Sequence, residues 1–488
     1  MSGYSEGGAN LRDNLLKTWT PRHYSAVEDY DKNLETLRAR SYDLYCNNPI
    51  GAAALNSEML GVLGSGLKLF PRIKFQELGL SAEAARSWSR RAKLEFELWA
   101  HSVNCDYYRR NNFYELQRIA FLSYLADGDC FCVMRRHYPT AEMPYTIRLQ
   151  LIEAARVSNP QGKGGLVNQV EMRLPGSNHR IINGVEIDRQ GRLSAVWISN
   201  RIWNEPVSVR PELRWQRVKV FGKETGCRNV LHICFDTRTE QYRGIPFLAP
   251  VIRELKQITR YGDAELAAAI VKSYFSLFFI QPTSNFDFND ILPEDKNEPV
   301  VDVREYKLTG TSISALPRGV DVKAIDRSNA QSTFSPFTDA FLKQIGAALG
   351  VPYEILTKQF QASYSASRAA LMQAQDEFKQ RRQAFINDFC LPIYYMWLDE
   401  AVATGRLKVS GEYWSDPLIK MCWSNADFRT EDSKLLDPVK EIEAARLRIE
   451  LGLSTRTKEA AELTGTDFNE NVAELAIENQ LMAGVSNE

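Results

Sequence analysis

Hydrophobic positions are most regular between residues 335 and 403. Phe337, Phe341, Ile345 and Leu349 recur every four residues and predict a helix with one apolar stripe. Ser335-Pro336 supplies its start, a capping hydroxyl followed by a residue whose φ is already helical. Gly350-Val351-Pro352 supplies its end, with glycine for a left-handed cap and proline against continuation. A polar link over 353–366 follows. From 367 a much longer helix is predicted, with Leu371, Phe378, Phe385, Phe389, Ile393 and Trp397 on its buried edge. Gln373, Gln375, Asp376, Glu377, Lys379, Gln380, Arg381 and Arg382 cover its other sides, and Pro392 predicts a kink.

Upstream, apolar runs predict helices over 30–46, 50–63, 81–99 and 113–126, with Ser81 as a cap, and strands over 67–71 and 130–135. Between 145 and 236 the period falls to two. Asn183-Gly184 and Gln190-Gly191 then read as hairpin turns. Gly244-Ile245-Pro246 opens a further helix running to Pro282, with Val251, Leu255, Ile258, Leu266, Ile270 and Tyr274 along its apolar face. Residues 282–333 are loop-rich, with short strands expected at 300–303 and 320–325. After 403 come irregular residues, and from 431 a helical tail with 13 Asp/Glu against 6 Lys/Arg, a net of −7. The first 25 residues read as a flexible arm.

Composition changes this picture little. Hydrophobic residues make up 44% and charged residues 25%, an ordinary globular balance, and 488 residues suffice for two to four domains. A net charge of −1 excludes a global basic field, so any nucleic-acid contact must come from local charge or from repetition of subunits. The eight cysteines have no secreted-framework spacing and read as reduced thiols of a chain made in the cytosol. The first ten residues lack the apolar run of a signal peptide, and the apolar window 264–280 carries Glu265 and Lys272, so no membrane contact is expected.

Catalytic chemistry is sparse. There is no G-x-x-x-x-G-K-[ST] phosphate loop, no H-E-x-x-H and no G-x-S-x-G. Asp127-Gly128-Asp129 holds two carboxylates that could share Mg²⁺, though it also reads as a simple turn. Cys130 and Cys132 fall on one face of a strand near His137, a partial metal set without a fourth ligand and equally a core. Arg86, Arg90, Arg91 and Lys93, with the doublets Arg109-Arg110 and Arg135-Arg136, read as solvated faces or subunit ion pairs. Lys358 followed by Gln359, Gln361, Ser363 and Ser365 reads either as a solvent loop or as a surface for brief contact with a phosphate backbone, without base readout.

Several segments taken in order resemble the lambda-type portal proteins of tailed bacteriophages. They include Asn47-Asn48-Pro49-Ile50 with Gly64-Ser65-Gly66-Leu67-Lys68-Leu69, and Leu149-Gln150-Leu151-Ile152-Glu153-Ala154 with Arg156-Val157-Ser158. Gly184-Val185-Glu186-Ile187-Asp188, Arg243-Gly244-Ile245-Pro246-Phe247-Leu248-Ala249-Pro250 and Leu349-Gly350-Val351-Pro352-Tyr353 follow. Tyr364-Ser365-Ala366-Ser367-Arg368, Phe389-Cys390-Leu391-Pro392, Asp437-Pro438 and Gly452-Leu453-Ser454-Thr455-Arg456 complete the series.

The resemblance implies an α+β, multidomain portal fold. After the arm at 1–25 it places an α/β wing at 26–240, a stem helix at 241–280, a small α/β clip at 281–333 and a second stem helix at 334–352. A tunnel loop at 353–366, a long wing helix and return at 367–430, and an acidic helical crown at 431–488 complete it. It implies a ring, typically of twelve copies, at one capsid vertex of the virion, through which double-stranded DNA is packaged and ejected. A separate large terminase would supply the ATPase, and major capsid protein, scaffold and a head–tail adaptor are the other implied partners, with no cofactor. On that reading Lys358, Gln359, Gln361, Ser363 and Ser365 face DNA. Leu266, Ala268, Ile270 and Tyr274 meet neighbouring subunits, and Asp287, Asp290, Glu294 and Asp295 meet terminase or adaptor. A Mg²⁺-dependent nucleic-acid enzyme using Asp127 and Asp129, and a capsid or connector protein without a channel, are the alternatives.

Overall fold

The computed structural model describes residues 14, 16–160, 170–202, 212–274, 278–280, 321–323, 331–359, 364–430, 438–466 and 468–485. Two compact units emerge, one from Met1–Leu255 with Ile345–Glu488, the other from Lys256–Gln344.

The first unit begins with α1 (Leu34–Asn47) and α2 (Pro49–Leu63), separated by Asn48. The Asn48 side chain accepts the N–H groups of Ile50 and Gly51, and Pro49 lies in the first turn, so one residue ends α1 and caps α2. β1 (Lys68–Pro71) leads to α3 (Ala82–Ala100), where Ser81 accepts the Ala84 N–H as its sequence predicts. α4 (Phe113–Asp127) opens with a reciprocal capping box between Asn112 and Glu115 and runs into β2 (Asp129–Arg136).

Strands β2, β3 (Ile147–Ile152) and β9 (Val230–Cys234) form an antiparallel sheet with β2 in the centre. A second antiparallel sheet runs in sequence order through β4 (Glu171–Arg173), β5 (Arg180–Ile182), β6 (Val185–Ile187), β7 (Leu193–Ser199) and β8 (Trp215–Lys219). Asn183-Gly184 turns β5 into β6. Phe131, Val133 and Ile152 of the first sheet share one core with Ile182, Val185, Ile187 and Val196 of the second.

The chain leaves this unit along α5 (Ile252–Tyr274). Within the second unit β10 (Phe278–Ile280) pairs antiparallel with β11 (Asp321–Lys323), Phe279 opposite Val322. The sequence carries the α5 helix on to Pro282; in the structure α5 is Ile252–Tyr274 and Phe278–Ile280 is a strand, a change that suits the high strand propensity of Phe and Ile. α6 (Gln331–Leu349) starts four residues before the predicted cap and carries Pro336 inside it. Tyr261 of α5 meets Phe337 of α6 edge-on at 4.7 Å.

Back in the first unit come α7 (Tyr353–Thr357), α8 (Tyr364–Phe385) and α9 (Leu391–Ala403). α8 and α9 are continuous through a π turn over Ile386–Cys390. That turn lies directly before Pro392, whose missing N–H and bulky ring it accommodates; this is the local form taken by the predicted kink. Phe389, Tyr394 and Trp397 pack here with Phe96, Trp99 and Phe113 in a fully buried aromatic core. The predicted irregular stretch after 403 holds α10 (Pro417–Ser424) and β12 (Ala426–Arg429), which pairs with β1. α11 (Pro438–Glu450), α12 (Arg456–Leu463) and α13 (Phe468–Val485) make the helical tail. Among the described residues no helix is long and apolar enough to cross a membrane.

Candidate functional site

Lys358 closes α7 in a left-handed turn, with φ at 56°. Leu356 and Val351 are buried beneath it, and the Thr357 hydroxyl donates to the Tyr353 carbonyl at 2.8 Å. Lys358 and Gln359 are exposed. The predicted loop over 353–366 is therefore narrower than expected: α7 occupies its first five residues, and α8 begins at Tyr364 and includes Ser365. Leu356 is buried and Tyr353 and Ile355 half-buried, which anchors one helical turn that the polar composition of the link obscures. Gln361 and Ser363 lie outside the described residues.

The turn packs against α8, and α8 is held by side chains that lie off its apolar edge. Arg381 pairs with the buried Glu58 of α2 at 2.5 Å and donates to the Leu349 carbonyl at 3.3 Å. Arg382 donates to the carbonyls of Val62 and Gly61, at 2.7 and 2.8 Å, supplying partners for the last turn of α2. Burial pushes the Glu58 carboxyl up, and Arg381 opposes that shift. Gly350 has φ at 69°, a left-handed backbone that strains any other residue, and a side chain there would also displace the Glu377 carboxylate.

α5 presents a different surface. Leu266 is 62% exposed and Ile270 48%, with Ala268 half-buried and Ala264, Ala267 and Ala269 exposed. Tyr274 ends the helix, and its side chain lies outside the described part, as do Asp287, Asp290, Glu294 and Asp295. Large aliphatic groups beside small ones on one stretch of helix suit close approach of another helix better than contact with water.

The Asp127–Asp129 pair is not a cation site. Asp129 is fully buried and accepts from Arg38 at 2.7 Å, Arg243 at 2.6 Å, the Gly244 N–H at 3.1 Å and His232 at 3.2 Å. Arg243 and Arg38 outweigh the effect of burial and hold its carboxyl well below the usual range. Its oxygens are thus committed to protein donors, and the Mg²⁺ reading is corrected. Asp127 shares no ligand position with it; its carboxylate accepts from Tyr42 at 3.4 Å. Cys130 and Cys132 are buried with their thiols pushed up by desolvation, while exposed His137 contacts the Tyr138 carbonyl. Among the described residues no three His, Cys, Asp or Glu side chains are grouped to hold a metal.

Burial pushes Asp127 up to about 7, with Arg38 the main opposing influence. Its folded form therefore binds more protons than its unfolded form between the ordinary carboxylate pKa and about 7, so this group costs stability as pH rises through that window. Asp127→Asn, which keeps an acceptor for Tyr42, is expected to melt a few degrees above the parent at pH 8 and by a clearly smaller margin at pH 5. Melting curves at the two pH values check this; parallel shifts would contradict it.

The family model for phage portal proteins, lambda family, matches residues 12–382, a span that holds α5, α6, the Lys358 turn, Arg243 and the Arg381–Arg382 anchor. The chain belongs to the lambda family of phage portal proteins. Portal protein B of Escherichia phage lambda is 24% identical over 493 residues, covering 97% of this chain and 88% of that protein. The portal protein of Escherichia phage N15 is 25% identical over 500 residues, covering 97% and 89%. A chain from the neck of a native gene transfer agent particle aligns with a TM-score of 0.44 at 13% identity, covering 91% of this chain and 94% of its own length. Portal family membership makes this a structural protein and not an enzyme, and the carboxylate pair at 127 and 129 belongs to its framework.

Proposed function

We propose that this portal chain assembles into a closed ring, of about twelve copies, at one capsid vertex of the virion, and that double-stranded DNA passes through the ring. A separate terminase ATPase would drive packaging, and the same ring would join head to tail during ejection. The observation that carries the reading is the relationship to phage portal proteins along almost the whole chain. The exposed aliphatic stretch of α5 supports a subunit contact there, involving Leu266, Ala268, Ile270 and Tyr274. Residues 281–333, with Asp287, Asp290, Glu294 and Asp295, would meet terminase and adaptor, and capsid and scaffold proteins would surround the ring.

Lys358 supports a DNA contact. A left-handed backbone suits glycine better than lysine, so the residue there is favoured for its side chain rather than its main chain. Repeated around a ring, it would set exposed cations along a duplex carrying one charge per about 1.7 Å. Such contacts are weak and indifferent to sequence, as movement requires, and Gln359, Gln361, Ser363 and Ser365 would exchange hydrogen bonds with phosphate or water. Lys358→Glu is expected to leave assembly intact while slowing packaging or letting DNA slip back. The defect should shrink with salt, since the Debye length is about 10 Å at 0.1 M. Single-particle packaging at two ionic strengths tests this; unchanged rate and retention at low salt would mean that Lys358 faces away from DNA.

A further inference from the structure

The loop between α3 and α4 is built around a buried acid. Asp106 is 1% exposed, and its carboxylate accepts the backbone N–H groups of Tyr108 and Arg110 at 3.0 Å and of Asn111 at 3.2 Å. Arg109 takes a left-handed φ of 53° at the apex. The loop is also fastened to the sheet: β3 is an edge strand, and the Tyr107 N–H donates to the Leu149 carbonyl at 2.9 Å. The strand edge is covered at that point, so a partner cannot join the sheet there by adding a strand.

What the loop offers is a fixed side-chain platform. Tyr107 and Tyr108 are each 49% exposed, with rings perpendicular and 5.3 Å apart. Gln150 ties the platform together: its Nε2 donates to the Tyr108 hydroxyl at 2.8 Å, and its Oε1 accepts from Arg135 Nε at 2.8 Å. The Arg135 guanidinium lies 5.9 Å from the Tyr107 ring centre. Arg109 and Arg110 are exposed, and neither guanidinium has a hydrogen bond or ion pair among the described residues. Two rigid tyrosines beside two unneutralised arginines match the residue types that dominate protein interfaces. Pre-ordering the loop removes much of the entropy that binding would otherwise cost.

We infer that this platform docks an acidic segment of another protein, whose carboxylates pair with Arg109 and Arg110 while its apolar side chains cover Tyr107 and Tyr108. Duplex DNA fits less well, because its stacked bases offer the tyrosine rings no face and two or three phosphate contacts supply little affinity. This inference goes beyond ring formation and DNA passage, and rests on the proposed function only in that the chain is carried in particles, which the presence of the chain in purified particles checks separately.

The test places a photoreactive p-azidophenylalanine at Tyr107, whose hydroxyl has no hydrogen bond among the described residues, in particles carrying the chain. Cross-linked peptides are then sequenced by mass spectrometry. The expected product joins the loop to a segment of a different protein rich in Asp and Glu. Arg109→Glu with Arg110→Glu should lower its yield by about tenfold or more, Arg109→Lys with Arg110→Lys should largely keep it, and reversing the charges of the mapped segment should restore it. Melting of the charge-reversed chain should match the parent, since both side chains are exposed. A cross-link to DNA, to a segment without carboxylates or to nothing would overturn the inference, as would a yield unmoved by charge reversal.

Discussion

Arg243→Ala is expected to lower the melting temperature of the chain by roughly 5 °C and to cut its soluble yield sharply. Arg243 is 1% exposed and uses its whole guanidinium. Nε and Nη2 reach the two Asp129 oxygens at 2.6 and 3.2 Å, Nη1 donates to the carbonyls of Val157 and Asn183, and Nη2 donates to that of Ala154. The side chain therefore joins the β2 start, the turn after β3 and the β5–β6 hairpin. Removing it takes a donor from the carbonyls of Val157 and Asn183, leaves that of Ala154 with only the Val157 N–H, and leaves Asp129 with only Arg38, His232 and the Gly244 N–H. Breaking a buried pair in this way costs about 3–5 kcal/mol, against a total domain stability of roughly 5–15 kcal/mol.

Arg243→Lys should rescue little, because an ammonium cannot bridge a carboxylate and three carbonyls at once. The neighbouring Gly244 is equally constrained: a side chain there would strike the Gly128 carbonyl. The loss should also be flat in pH from 5 to 8. Asp129 is held well below its ordinary range, so its contribution is complete above the unfolded carboxylate pKa and fades only when pH falls towards the folded value. A variant melting within two or three degrees of the parent would contradict this account of the network.

The second large effect is on assembly. Ala268→Asp and Leu266→Asp on α5 are each expected to convert rings into monomers that keep their helical circular dichroism. Leu266 is 62% exposed, and covering such a side chain would contribute about 1.5–3 kcal/mol if a neighbouring subunit packs there. A carboxylate at 268, within a run of alanines, would be buried unpaired if a neighbouring helix packs there. Mass photometry reads the distribution directly. Rings that form normally with both variants would remove α5 from the subunit contact.

Local signals carried far in this chain, and long-range ones did not. Ser81, Asn48-Pro49 and Asn183-Gly184 act through neighbours within four residues, so the elements they bound are legible from sequence. Pro392 likewise announced a distortion, although only the structure shows that it takes the form of a π turn. The pairing of β1 with β12 brings Leu69 opposite Phe428, and nothing near either residue signals the other. Arg381 and Arg382 lie off the apolar edge of their helix, where the sequence signals no burial. A guanidinium is buried when its acceptors are buried with it, and Glu58 and the α2 carbonyls lie more than three hundred residues away. The same holds for Asp127 and Asp129: the spacing suggested a shared cation, whereas Arg38 and Arg243 provide the charge. Of the candidate site, Lys358 was legible because a lone cation among amides and hydroxyls stands out. The α7 helix before it was not, since its three apolar residues, Tyr353, Ile355 and Leu356, are too few to show a period.

Electron micrographs of the purified full-length chain test the central claim most directly. The account predicts closed rings of about twelve copies with a central hole wide enough for duplex DNA, about 20 Å. Monomers, open strings or solid discs at concentrations where related portal proteins assemble would contradict it.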